Sequence, residues 1–414
     1  MTATSRTVVR IGIIGAGMAG QAHAFGYRNA MMATDLADVD VVLHTIADPN
    51  LALAETVAHR YGFAHATADI DALLADPEVD AISVALPNHL HKDVLPRVIA
   101  SGKHLFAEKP IGRTPAEAEH LAELAEGSAA VTGVGFSFRR LPGLAAVAQA
   151  VRAGAIGEVH TVRAWYNADY AADPAGALSW RYSQELSGGG ALLDIGAHAI
   201  DAAQFVAGQV TRVLSSTLRT VIAERPLPAA GAIGHGGSTS VEHGPVTNDD
   251  IALLTTQFEN GAVGQITLSR IAHGVPNSLG VEVFGSAGSI SFDSISAGEF
   301  HLFEASLSQP GASAAGRGFN GARRVITGPD HPYFTDVAAM PGAGVGTGYA
   351  EAFTAEIQEF LRCVRDHRPM DTDFATAVRM MAVVGAALDA AASGAAVDVG
   401  SRARFSTTAA AQPA

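Results

Sequence analysis

An imidazole and a carboxylate stand four residues apart in a glycine-rich, otherwise largely apolar stretch, Gly188 to Asp201. In a helix this spacing puts Asp194 and His198 on one face, one turn apart. Burying both groups is costly unless they have partners, so the pattern favours a cleft. Histidine titrates near neutral pH and suits the removal of an alcohol proton. Two other interpretations stay open: a structural His–Asp hydrogen bond in the core, and a metal-binding pair.

A lysine follows a short apolar strand pattern, His104 to Ala107, in the tripeptide Glu108-Lys109-Pro110. Because Pro110 disfavours helical geometry at the residue before it, we expect Lys109 at the end of the strand. An ammonium group placed there can donate to a substrate hydroxyl and stabilise a developing alkoxide. The alternative is a surface lysine that precedes a helix.

A glycine pattern, Gly15-x-Gly17-x-x-Gly20, follows the apolar run from Val8 to Ile14. After a strand and before a helix, such glycines permit a tight turn, a close approach of pyrophosphate, and close helix–strand packing. The free N–H groups at the helix start form an anion site. A glycine-rich turn without a ligand is the alternative. The candidate cofactor residues of this stretch are Gly15, Gly17, Met18 and Ala19.

Two further strand ends carry polar residues. Asp48 follows the strand pattern Val39 to Ala47, where a carboxylate accepts hydrogen bonds from the adenosine ribose and repels a 2′-phosphate. NAD is therefore expected and NADP is less favoured, unless Asp48 is an ordinary turn residue before a proline. A third strand pattern is followed by Pro87, Asn88 and His91, which are candidates for the nicotinamide half of the site because ligands lie at the carboxyl ends of parallel strands.

Strand and helix patterns alternate up to about residue 135, which predicts a doubly wound parallel sheet of the Rossmann type. The last predicted strand of this part runs from Val131 to Phe138. The later patterns predict a C-terminal α+β domain with a large, mainly antiparallel open sheet. We therefore expect three regions: a dinucleotide-binding domain (1–135), a substrate-binding and oligomerisation domain (136–400), and a flexible tail (401–414). Residues 231–244 and 309–348 are rich in small residues and are predicted to be long loops.

The composition limits the functional classes. The chain has 414 residues and a net charge of −14, which argues against nucleic acid or an anionic membrane as a partner. No uninterrupted apolar run reaches the ~18 residues of a membrane span. The single cysteine, Cys363, cannot form an internal disulfide, which fits a reducing compartment, and we expect a cytoplasmic protein.

The order of these motifs resembles that of the Gfo/Idh/MocA oxidoreductases, from about residue 8 to residue 400. The resemblance rests on the glycine pattern, Ala47-Asp48-Pro49, Pro87-Asn88-His89-Leu90-His91, Glu108-Lys109-Pro110 and the stretch from Gly190 to His198. It implies an NAD-dependent dehydrogenase that oxidises a secondary hydroxyl of a cyclic sugar, a levoglucosan-like anhydrosugar or an inositol. Lys109, Asp194 and His198 match the positions of the family's catalytic and substrate-binding trio.

The same resemblance implies roles for further residues. Glu108 would face the nicotinamide ribose, Trp180 and Arg181 would reach the cofactor, and Phe138 and Tyr166 would contact the substrate. It also implies a homo-oligomer, a dimer or tetramer, formed through the open face of the second sheet. Two other functions stay open: a glycosidase that recycles its NAD, and a non-catalytic nucleotide-binding member of the family.

Overall fold

The computed structural model describes residues 6–229, 239–305, 321–340 and 342–400. Within these ranges the strands are β1 (Thr7–Ile14), β2 (Val39–Ala47), β3 (His65–Thr67), β4 (Ala81–Val84), β5 (His104–Ala107), β6 (Thr132–Val134), β7 (Val159–Ala168), β8 (Val210–Arg219), β9 (Glu224–Pro228), β10 (Thr239–Pro245), β11 (Ile251–Phe258), β12 (Val263–Ser269), β13 (Asn277–Gly285), β14 (Gly288–Asp293), β15 (Glu299–Glu304), β16 (Arg323–Ile326) and β17 (Val397–Asp398).

The α-helices in the same ranges are α1 (Met18–Asn29), α2 (Leu51–Tyr61), α3 (Ile70–Ala75), α4 (Asn88–Ala100), α5 (Pro115–Glu126), α6 (Pro142–Arg152), α7 (Gln184–Ser187), α8 (Ala191–Asp194), α9 (Gly196–Ala207), α10 (Phe334–Val337), α11 (Tyr349–Asp366) and α12 (Phe374–Ser393). The 3₁₀ turns are 30–32, 34–36, 137–140, 180–182 and 294–296.

The first sheet confirms the Rossmann prediction. Its strand order is β3-β2-β1-β4-β5-β6, and every pair is parallel. The apolar runs that were expected to be strands are buried on both faces, as parallel strands covered by helices must be. The strand order reverses between β1 and β4, so the crevice above their carboxyl ends is where this fold binds ligands.

The second sheet has nine described strands in the order β16-β15-β14-β13-β7-β12-β11-β8-β17. It is mainly antiparallel, as predicted, but β7 and β12 run parallel because a long excursion of the chain separates them. Side chains of β11 alternate between buried and outward positions. Helices α6, α9 and α12 pack on the buried face. The outward face leaves apolar residues exposed, including Leu253 and Val263.

Several predicted boundaries were wrong. The sequence pattern predicts a helix from Val94 to Ala100, but helix α4 begins at Asn88. Its first turn has little apolar periodicity and is held by a long-range hydrogen bond from the side chain of Asn88. The predicted strand from Val131 to Phe138 ends at Val134, and residues 137–140 form a 3₁₀ turn instead. Asp194 and His198 do not share one helix: α8 ends at Asp194, and α9 begins two residues later.

The two predicted loops were also partly wrong. Strand β10 lies inside the first and pairs with β9, whereas β16 and α10 lie inside the second. Strands β10 and β16 were not predicted because they are rich in polar residues, and edge strands need little alternation of apolar residues. Residues 230–238, 306–320 and the expected tail at 401–414 lie outside the described residues.

The C-terminal helices return to both sheets. Apolar residues of α11, among them Ile357 and Phe360, share one core with α1 and the first strands. Helix α12 is long and apolar enough to span a membrane, but 61% of its apolar window is buried within the protein, where it packs on β8, α5 and α9. Both helices therefore belong to the folded core, and α11 adds C-terminal residues to the Rossmann unit.

Candidate active site

The lysine and the aspartate that the sequence selected meet in the structure. Lys109 lies just beyond the end of β5, and its Nζ donates to the main-chain oxygen of Asp194 at 2.8 Å. The same nitrogen is 3.4 Å from Oδ1 of Asp194. Both side chains are largely buried, with 13% and 24% of their surfaces exposed. An ammonium group from the first domain and a carboxylate from the second therefore meet in one cleft.

The other carboxylate oxygen of Asp194 has partners that sequence analysis did not assign to it. Tyr170 donates its hydroxyl to Oδ2 at 2.8 Å, and Nε of Arg181 is 3.6 Å from the same atom. Burial alone would raise the pKa of Asp194, but Lys109 and Arg181 outweigh it and hold that pKa well below its usual value. Asp194 is consequently a carboxylate at neutral pH.

His198 lies in the first turn of α9 and is 6% exposed. Its ring is edge-on to Phe138, with centroids 5.0 Å apart, and tilted against Tyr166 at 6.1 Å. Burial lowers the pKa of His198 well below its ordinary value, and the charge of Lys109 lowers it further, whereas Asp194 opposes both effects. The imidazole is therefore neutral at pH 7, which is the form that accepts a proton.

A buried polar cluster holds the segment that carries Asp194. The carboxylate of Asp249 accepts hydrogen bonds from the N–H groups of Gly190 and Leu192, at 2.9 and 2.8 Å. These N–H groups lie at the start of α8 and have no acceptor within the helix, so the carboxylate satisfies them. A Cβ at Gly190 would lie 1.8 Å from the main-chain oxygen of Asp249, so only glycine fits there. Sequence analysis missed this cluster, although three polar residues, 248–250, directly precede the apolar strand β11.

The glycine turn has the geometry that a dinucleotide needs. Gly15 has φ +104°, and its N–H donates to Ala47 at the end of β2. A Cβ at Gly17 would meet nothing within 4 Å, so the space beside this residue is open. The carboxylate of Asp48 accepts a hydrogen bond from the N–H of Ala16 at 2.9 Å, which places it at the rim of the same crevice. Met18 is largely exposed there, and Ala19 is half-buried. These residues fit a dinucleotide.

The predicted nicotinamide residues have structural partners as well. Asn88 donates to the main-chain oxygen of Ser187 at 2.8 Å and so ties the first turn of α4 to the second domain. His91 is fully buried, and its Nδ1 is 2.8 Å from the main-chain oxygen of Pro110. Pro87 precedes the helix and is half-buried. Direct contact of these three with a cofactor stays a prediction, whereas His91 supports the turn that carries Lys109.

The remaining predicted residues line the same region. The guanidinium of Arg181 stacks on the ring of Trp180 at 4.4 Å, and the ring of Trp180 is 6.3 Å from that of His89 in α4. Tyr349, which was not among the predicted site residues, packs on Phe138 with centroids 5.0 Å apart. The surroundings of His198 are therefore largely aromatic.

Two family models match the chain. Residues 9–136 match an oxidoreductase family with an NAD-binding Rossmann fold, and residues 144–291 match the C-terminal domain of Gfo/Idh/MocA proteins. The chain belongs to the Gfo/Idh/MocA oxidoreductase family. It is an NAD-dependent oxidoreductase, as the resemblance implied. The division into domains near residue 135 stays a prediction.

Individual relatives agree with this family. The chain is 34% identical to levoglucosan dehydrogenase from Pseudarthrobacter phenanthrenivorans over 94% of its own length and 98% of that protein. A solved structure of levoglucosan dehydrogenase with NADH and levoglucosan superimposes with a TM-score of 0.86, at 33% identity, over 95% of this chain and 100% of that one. The chain is also 26% identical to scyllo-inositol 2-dehydrogenase (NAD⁺) from Bacillus subtilis, over 90% of its length and 91% of that protein.

Proposed function

We propose that this enzyme oxidises a secondary hydroxyl of a cyclic sugar to the ketone, with NAD as the hydride acceptor and a levoglucosan-like anhydrosugar as the first candidate. One observation carries the proposal: Lys109 and Asp194 meet beside the neutral, aromatic-walled His198, close to an open dinucleotide crevice. The names of the full-length relatives favour anhydrosugars and inositols over acyclic alcohols.

Each member of the trio has a role that follows from its charge. Neutral His198 accepts the hydroxyl proton, because a neutral imidazole has one ring nitrogen that carries no proton. The ammonium of Lys109 stabilises the alkoxide that forms. The carboxylate of Asp194 holds Lys109 and accepts a hydrogen bond from a neighbouring hydroxyl of the ring. NAD, which Gly17 and Asp48 would help to hold, supplies the acceptor for the hydride.

A substrate screen tests the proposal. NADH formation is followed at 340 nm (the absorbance band of the reduced nicotinamide) with levoglucosan, inositols and hexoses, and with NAD and NADP in parallel. We expect turnover with at least one cyclic polyol or anhydrosugar and a preference for NAD. Glycoside cleavage without net NADH would instead establish the NAD-recycling glycosidase, and the absence of both reactions would leave a nucleotide-binding protein.

A histidine variant tests the assigned base. His198→Gln is expected to lower kcat about 10²–10⁴-fold, which is the typical contribution of a general base. The affinity for NADH, measured by its fluorescence, should change little because His198 is assigned to the substrate. His160→Gln, at an exposed position of β7, is the matched control. Unchanged turnover of the His198 variant would remove this residue from the mechanism.

The remaining expectations belong to the same proposal. The enzyme is expected to form a homo-oligomer through the outward face of its second sheet, where Leu253, Val263 and Phe284 are 42%, 50% and 39% exposed. A cytoplasmic location, with neither nucleic acid nor membrane as a partner, stays a prediction from the composition.

A further inference from the structure

A second cluster of titratable side chains lies next to the catalytic lysine. His23 of α1, Glu108 at the end of β5, and Glu356 of α11 place ring nitrogen and carboxylate oxygen atoms within 4.8 Å of one another. His23 and Glu356 are buried, and the side chain of Glu108 is 13% exposed. The cluster joins the helix of the glycine turn, the strand of Lys109 and the returning C-terminal chain.

The Glu108 carboxylate is held at both oxygens. Nε2 of His23 lies 3.2 Å from Oε1, and the N–H of Lys109 donates to Oε2 at 3.1 Å. The side chain of Glu108 therefore fixes the main chain of the very residue that carries the catalytic ammonium. A shift of the Glu108 carboxylate would release that main-chain hydrogen bond.

Glu356 is the unusual member. Its two carboxylate oxygens are buried and have no hydrogen-bond partner among the described residues. Burial raises the pKa of Glu356 well above its usual value, and the neighbouring Glu108 raises it further, whereas Arg140 only partly offsets them. Burial also acts to raise the pKa of Glu108, but His23 and Lys109 outweigh it and lower that pKa. Two carboxyl groups this close do not both ionise, so the proton stays on Glu356.

We propose that Glu356 is a positioning residue: packed against Glu108 in the cluster with His23, it keeps the Glu108 carboxylate, and through it Lys109, in the geometry of the active site. This role rests on the proposed function, because the position of Lys109 matters for the reaction only if Lys109 takes part in it. An uncharged carboxyl group fills the space beside Glu108 without adding the second negative charge that would repel it. Glutamine has the same shape and no charge, so it should replace Glu356.

The rate at which Lys109 is acetylated reports how accessible its amine is, and this rate can be measured without substrate or cofactor. The chain has three lysines, Lys92, Lys103 and Lys109. Lys103 donates to two main-chain oxygens and Lys92 lies on the surface, so both serve as internal references. The full-length protein is treated with limiting N-hydroxysuccinimidyl acetate, and acetylation of each lysine is followed by peptide mass spectrometry.

The variants separate positioning from charge. Glu356→Ala should raise the acetylation rate of Lys109 relative to Lys103 by about tenfold, the effect of losing one hydrogen bond to a charged group. Glu356→Gln should restore the wild-type ratio. Glu359→Gln removes a carboxylate of the same helix that pairs with Arg362 and Arg368, and it should leave the ratio unchanged. An unchanged ratio in Glu356→Ala, or a tenfold rise in Glu356→Gln as well, would overturn the proposal.

A second measurement remains informative if the alanine variant does not fold. The charged and titratable groups around Glu356 are His23 and Tyr27 of α1, Glu108, Arg140, and Tyr349 of its own helix. Because folding raises the pKa of Glu356, the folded state binds the extra proton, and wild-type stability falls as the pH rises above the usual value of 4.5. Glu356→Gln should therefore gain thermal stability over the wild type at pH 8 and lose this advantage near pH 4.5.

Equal pH dependence of the two melting temperatures would show that Glu356 is ionised, which contradicts the proposal. One equivalent of tightly bound divalent metal in the purified protein would also contradict it, since the three side chains would then be ligands. If the labelling and melting results hold but no sugar is oxidised, the proposed function fails and the positioning role stands. If a sugar is oxidised but the labelling ratio does not change in Glu356→Ala, the positioning role fails and the proposed function stands.

Discussion

At the scale of single residues, the active site depends on where charge is stabilised. Asp194 is surrounded by Lys109, Arg181 and the hydroxyl of Tyr170, so it stays ionised. His198 is buried against rings and faces an ammonium, so it stays neutral. The pKa values of Asp194 and His198 are both lowered, so Asp194 stays an anion at neutral pH and His198 stays a neutral base.

We expect the neutral form of His198 to set the acid limit of activity. Burial and Lys109 hold the pKa of His198 below its ordinary value of 6.5, and the basic form is the one required for oxidation. We therefore expect kcat/KM to fall only when the pH drops below 6.5, with circular dichroism at each pH used to exclude unfolding. An acid limb at or above pH 6.5 would contradict the burial of the base.

A second residue-scale prediction concerns Asp48 and the choice of cofactor. Asp48→Ser removes the charge that repels a 2′-phosphate while keeping an oxygen near the N–H of Ala16. The ratio of kcat/KM for NAD over NADP should fall at least about tenfold, which corresponds to about 1.4 kcal/mol. Asp93→Ser, at an exposed position of α4, is the control. A ratio that does not change would clear Asp48 of this role.

At the scale of elements, glycines decide how closely the first helix meets its strand. A Cβ at Gly20 would lie 1.9 Å from the main-chain oxygen of Gly15, whereas a Cβ at Gly17 would meet nothing within 4 Å. Gly20 is thus required by packing within the fold, whereas Gly17 leaves space for a ligand. The same sequence pattern therefore contains a structural and a binding requirement.

This difference predicts opposite outcomes for two matched variants. Gly20→Ala should lower the free energy of unfolding by more than about 3 kcal/mol, because the main chain must shift to admit the methyl group. Gly17→Ala should change it by less than about 1 kcal/mol but weaken NADH binding. Urea denaturation and NADH fluorescence titration measure the two effects. Equal destabilisation by both changes would contradict the assignment.

At the scale of the whole molecule, the two sheets depend on each other. Asn88 holds the second domain at Ser187, Lys109 reaches Asp194, and α11 returns to pack on α1. The cleft between the domains is therefore built by long-range contacts. On its outward face the second sheet has exposed apolar side chains, and we expect a second copy of the chain to cover them.

The outward sheet face gives a prediction for the assembly. Leu253→Lys should dissociate the expected oligomer, because a charge at the centre of an apolar interface is costly to bury. Leu124→Lys, at a similarly exposed leucine of α5, should leave the assembly intact. Light scattering coupled to size exclusion gives the mass of each variant. A wild-type monomer, or an oligomer that tolerates Leu253→Lys, would place the interface elsewhere or remove it.

The sequence by itself determined the Rossmann half and the family, and it selected Lys109, Asp194 and His198 as the proposed trio. These depend on local rules: apolar runs of strand length, glycines at fixed spacing, and polar residues at strand ends. Tertiary structure alone decided that Asp194 and His198 lie on two helices, that Tyr170 and Asp249 hold the carboxylate segment, and that Glu356 packs beside Glu108. Those contacts join residues far apart in the chain, and spacing along a sequence carries no information about which distant groups will share a buried cleft.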